Sequence, residues 1–171
     1  MAKSSVEAVT EDKIAKGGVL ARLYFDVQDT DKSKLQPMLT ELISEHLLKE
    51  RGVVYCTGTI EDPIEKNGIF ITSASVMILL ESFAPLINIA FRYAPAGCEI
   101  LRPERELCLR TNQLQSLVLD VSEIATGYSK YMLEKVMDKD ALEDFKKRLD
   151  NRAELGKRLM EKRGEGEGNG T

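Results

Sequence analysis

A chain of 171 residues that is 43% hydrophobic and 30% charged suits one globular domain, large enough to bury a core without a disulfide or metal staple, and excludes a wholly disordered polypeptide. Its net charge of −4 argues against a protein held to nucleic acid by its overall field and leaves only a local basic patch for that role. Cys56, Cys98 and Cys108 are widely spaced and there is one histidine, His46, so no usual zinc spacing occurs, no metal or cofactor is implied, and the expectation is free thiols in the cytoplasm.

Residues 1–17 lack apolar periodicity, end in Gly17-Gly18 and read as a flexible leader. They contain no apolar run of the kind a signal peptide needs. Val19, Ala21, Leu23, Phe25 and Val27 then alternate with Arg22, Tyr24 and Asp26, which predicts a first strand. A helix follows, with Leu35, Leu39, Leu42, Ile43, His46 and Leu47 at helical spacing and Gly52 at its stop. Asp29, Thr30, Asp31 and Ser33 are its cap candidates, and Pro37 is expected in or near the first turn.

Val54, Cys56 and Ile60 alternate with Tyr55, Thr57 and Thr59, and the Asn67-Gly68 turn leads into Phe70, Ala74, Val76 and Ile78 on the core side of a further strand. Together these predict a hairpin. Ser82 is placed to cap a helix over 83–94, with Pro85 in its first turn; apolar almost all round, that helix should be heavily buried. Residues 97–102 make a last short strand, with Cys98 and Ile100 expected to face the core. The most apolar stretch, 76–91, is broken by Glu81, Ser82, Pro85 and Asn88 and is too short to span a bilayer.

Strand, helix, strand, strand, helix, strand is the split βαβ order, and over residues 18–102 it resembles the ferredoxin-like superfold. The resemblance implies a four-stranded antiparallel sheet with two helices on one face and the other face open. It is one of element order only and carries no activity. The fold class expected is therefore α+β, a plait followed by a long amphipathic helix and a charged C-terminal helix.

After residues 107–110, which read as a short strand, the long helix begins near Asn112 with an apolar stripe of Leu114, Leu117, Val118, Val121, Ile124, Ala125, Tyr128, Met132 and Val136. Something must cover that stripe. The domain is placed at 18–137, a charged helical extension at 138–163, and a low-complexity, disordered tail at 164–171.

None of the common hydrolase, phosphate-loop, dinucleotide or zinc-protease motifs occurs, so no catalytic residue is assigned and an enzyme is disfavoured. Asp26, Asp29 and Asp31 are read as helix-capping residues and not as a calcium loop. The open sheet face offers Tyr24, Tyr55, Met77 and Leu101, and the long helix Leu117, Val121 and Tyr128, as candidates for a covered surface. The expectation is a non-catalytic interaction or regulatory module, associating as a homodimer or docking on a protein partner. One alternative is an RNA- or ribonucleoprotein-associated factor using Arg22, Arg92, Arg102 and Arg105, although the aromatic signature of the RNA-recognition module is missing. Another is a small-molecule sensor that binds a metabolite at a dimer interface.

Overall fold

A computed structural model describes residues 5–136 and, beyond them, only Lys147, Asn151 and Glu154. In chain order the elements are α1 (Ser5–Ala15), β1 (Val19–Asp29), α2 (Lys32–Glu41), β2 (Val53–Ile60), β3 (Ile64–Lys66), β4 (Ile69–Leu80), α3 (Ala84–Tyr93), β5 (Gly97–Arg102) and α4 (Thr111–Val136). Among the described residues this is an α+β arrangement of four α-helices and one five-stranded antiparallel sheet. The chain divides into two compact units, Met1–Val121 and Ser122–Thr171. The sheet belongs to the first. Except for the three isolated residues, the extension at 138–163 and the tail at 164–171 lie outside the described residues.

The sheet order is β2-β4-β1-β5, with β3 also paired to β4. Alternation along β1 decides its two faces. Val19, Ala21, Leu23 and Phe25 are buried, and register sets them against Leu80, Ile78, Val76 and Ala74 of β4. Leu39, Leu47, Leu86 and Ile89 pack onto this face from α2, the turn after it and α3. Each such burial contributes about 1.5–3 kcal/mol, and this is the core that fixes the sheet.

Six features depart from the sequence reading. Residues 5–15, expected to be a flexible leader, form α1. It is scarcely amphipathic, so periodicity does not reveal it. The glycine pair is its stop: Gly17 takes a left-handed φ of 94° and donates to the Ile14 carbonyl, and Gly18 donates to that of Lys13, as a helix C-terminus requires. Lys13 then pairs with Glu81 at 2.9 Å. The Thr10 hydroxyl donates to the Val6 carbonyl and stands 3.1 Å from the Tyr55 hydroxyl, which is left to donate to it.

The second departure is the extra strand. Pro63 cannot extend a ladder, so the expected single strand before Asn67-Gly68 is split into β2 and β3. Ser73 and Thr72 hold the break, the Ser73 carbonyl accepting from the Glu61 N–H at 2.9 Å and the Thr72 hydroxyl donating to the Glu61 carbonyl at 2.6 Å. The turn itself is as read, with positive φ at both Asn67 and Gly68.

Third, Pro37 lies well inside α2. It removes one backbone donor, and past Glu41 the helix loosens into a wide π-turn over Leu42–His46 and a 3₁₀ turn over Leu47–Lys49. Asp31 is the cap, its side chain accepting from the Ser33 N–H and hydroxyl. Fourth, Ser82 does not cap α3. Phe83 is the first boundary residue, without a side-chain bond, and the helix is only half-buried: Leu86 and Ile89 are inside while Phe91 is exposed. Fifth, β5 is an edge strand: register sets Cys98 and Ile100 opposite Leu23 and Ala21, on the core face, but both are exposed. Sixth, residues 107–110 form no strand.

Candidate functional site

The candidates fall on three surfaces. The second face of the sheet carries Leu20, Arg22 and Tyr24 of β1, Tyr55 of β2, and Met77 and Leu79 of β4, as the β1–β4 and β2–β4 registers require. Part of it is closed. Leu20 and Leu79 are buried, and Thr10 of α1 reaches Tyr55. The part left open is polar around Met77, with exposed Thr57 and Thr59 and half-buried Ser73 and Ser75. Leu101 is half-buried on β5.

Arg22 faces Glu99 across the β1–β5 pair and binds it at 3.3 Å. Tyr24 first, and Glu99 second, hold its guanidinium above its ordinary range. This arginine already has a carboxylate partner. Arg92 has one too. Its guanidinium donates to Glu50 Oε1 at 2.7 Å, and the Tyr93 hydroxyl donates to the same oxygen at 2.5 Å. Glu50, at the end of the α2 segment, thus ties down α3, and the Tyr93 ring lies 6.3 Å from that of His46. Burial and the hydrogen bond to Glu50 together push the Tyr93 hydroxyl up.

Arg102 and Arg105 behave differently. With Ile14, Pro103, Glu104, Glu106 and Cys108 they line a shallow groove, and neither has an ion pair among the described residues. The Arg102-Pro103 peptide is cis. Two glutamates in the same lining cancel the two positive charges, so the groove offers no net attraction to a polyanion.

The third surface is α4. Leu117, Val121 and Ile124 are half-buried, whereas Leu114, Val118, Tyr128, Tyr131 and Met132 are exposed. The largest values, 68% for Val118 and 64% for Tyr128, belong to residues on the apolar stripe. Scattered apolar side chains on a surface are ordinary, but a run along one helix is not. The sequence reading named Leu117, Val121 and Tyr128 here and missed Leu119 and Tyr131, which are also exposed. It likewise missed Thr10 and Glu50, whose roles depend on partners 45 and 42 residues away and leave no local pattern.

Sheet, helices and surface together define an α+β domain that leads into an exposed amphipathic helix. Its sequence matches the MJ0538 family over residues 20–155, and the chain belongs to that family. The matched span begins inside β1 and runs through all of α4. No curated protein and no solved structure matches the chain. No helix among the described residues is long and apolar enough to cross a membrane.

Proposed function

We propose that this chain is a non-catalytic, cytoplasmic interaction module that associates through α4. The observation that carries the reading is the apolar stripe from Leu114 to Met132, exposed at Leu114, Val118, Tyr128 and Met132 and half-buried at Leu117, Val121 and Ile124. Leaving such side chains in water forgoes stabilisation of about 25 cal/mol per Å², which association would recover. The open sheet face is the weaker surface for this purpose, because α1 occupies its most apolar end and the remainder is rich in serine and threonine.

We read the sheet as a ferredoxin-like plait with two additions, α1 and β3. The reading rests on the order β5-β1-β4-β2, which sets the first strand beside the last and the third strand between the first and second, with α2 and α3 on one face. On this reading the plait is a scaffold and α4 the working part. The RNA reading loses support from the pairing of Arg22 and Arg92 with carboxylates.

Sedimentation equilibrium on the full chain tests the association, with Val118→Asp and Tyr128→Asp as variants. The expected result is a dimer whose dissociation constant rises at least about tenfold in each variant, a change of about 1.4 kcal/mol. A wild-type chain that is monomeric at every accessible concentration, with no change in either variant, overturns it.

A further inference from the structure

The apolar stripe of α4, exposed except at half-buried Leu117, Val121 and Ile124, has a seven-residue repeat. Leu114, Val118, Val121, Ala125, Tyr128 and Met132 succeed one another at alternating spacings of four and three, the a and d positions of a heptad in which Leu114 is a d and Val118 an a. Leu117, Ile124 and Tyr131 hold the g positions, and Gln115, Ser122 and Ser129 the e positions. From Thr111 to Met132 no a, d, e or g position is charged. The charges in that span, Asp120, Glu123 and Lys130, sit at c and f on the opposite face. An a, d and g stripe of this width needs an apolar surface to face, and a second helix carrying the same repeat can supply one.

We propose that α4 pairs antiparallel with α4 of a second copy of this chain, about a two-fold axis near Glu123. The inference rests on the association reading above and adds the occupant and its orientation. The seam's own pattern argues for both. Reversed on itself about Glu123, it sets Val118 against Tyr128 and Val121 against Ala125, a smaller side chain with a larger one, and Leu114 against Met132. A parallel pair would set Ala125 against Ala125, leaving a void, and Tyr128 against Tyr128, crowding the next layer.

The flanks point the same way. Antiparallel helices bring g beside g and e beside e. Leu117 then lies with Tyr131 of the second copy, and Ile124 meets its own counterpart near the axis, so all three apolar flanking residues share one side. Gln115, Ser122 and Ser129 share the other, polar side. A parallel pair would set g against e and press Leu117 and Ile124 onto Ser122 and Ser129. With no charge at e or g to select a different partner, the seam best fits its own reversed copy. Over about 27 Å of helix the pair buries on the order of 1,000 Å² in total, which reaches the lower bound for a specific dimer.

Disulfide trapping tests the orientation in the full chain carrying Cys98→Ser and Cys108→Ser, the two exposed cysteines. The double variant Leu114→Cys/Met132→Cys should give a covalent dimer on mild oxidation, because each thiol meets the other type across the axis at disulfide range. Leu114→Cys alone and Met132→Cys alone should give none, since identical positions lie about 27 Å apart in the antiparallel pair. Val118→Cys/Tyr128→Cys is an independent layer with the same expectation. Covalent dimers from either Leu114→Cys or Met132→Cys alone overturn the orientation, because those positions meet themselves only in a parallel pair. A dimer by sedimentation that neither double variant traps places the interface elsewhere and also overturns it. A monomer by sedimentation overturns the association reading itself, so the two failures are distinct.

Discussion

Cys56 shows how one side chain's surroundings set its chemistry. It lies on the core face of β2, opposite Ile78, and burial pushes its thiol up to about 11. Cys98 and Cys108 are exposed. Alkylation followed by mass mapping at pH 8 should therefore label Cys98 and Cys108 first, with Cys56 holding on the order of a hundredfold less thiolate than an ordinary cysteine. The same shift has a stability consequence whose sign is fixed. The folded value lies above the unfolded one, so the contribution of the protonated thiol is complete below about 9 and is lost as the pH rises towards about 11. Chemical denaturation of Cys56→Ala should show a flatter loss of stability over that alkaline window than the wild type. An identical slope would mean that the thiol is not held protonated by the fold.

At the scale of elements, legibility in the sequence followed the strength of local pattern. Alternation gave β1 and β4, and Asn67-Gly68 marked its turn by its own backbone chemistry. What escaped was decided by contacts far apart in the chain. The helix α1 has almost no apolar face of its own, and its place depends on Thr10 with Tyr55 and Lys13 with Glu81. Gly17-Gly18 was the available signal, since a glycine pair stops a helix as readily as it loosens a leader. The edge position of β5 follows from strand order, which alternation within one strand does not encode, so Cys98 and Ile100 stand on the core face, as alternation predicts, but at an edge where both stay exposed. The joint between α1 and β1 can be tested at Gly18. A Cβ there would stand 2.7 Å from both the Leu80 and the Lys13 carbonyl oxygens, backbone atoms on two different elements. Gly18→Ala should cost about 1–3 kcal/mol, the usual penalty for overpacking. Urea unfolding measures it, and a change within about 0.5 kcal/mol, as for an ordinary surface substitution, would mean that α1 is not seated against β4.

For the whole molecule, the proposed association has to be squared with an acidic chain that carries several exposed ion pairs. Surface pairs such as Lys16 with Asp12 and Lys49 with Glu45 contribute little and are screened by salt. The proposed α4 seam is apolar and uncharged between Thr111 and Met132, so its free energy would come from removing surface from water. Two consequences separate it from an electrostatic interface. Raising sodium chloride from about 0.05 to 0.5 M should leave the dimer dissociation constant unchanged within about threefold, whereas binding through arginines to a polyanion would weaken by orders of magnitude over that range. The melting temperature should also rise with protein concentration, because association stabilises the folded state by mass action, about 2.7 kcal/mol at a hundred times the dissociation constant. Calorimetry across a hundredfold range of concentration at two salt levels reads both effects together. A melting temperature independent of concentration, or a dissociation constant that climbs steeply with salt, would rule out the apolar α4 seam as the working surface.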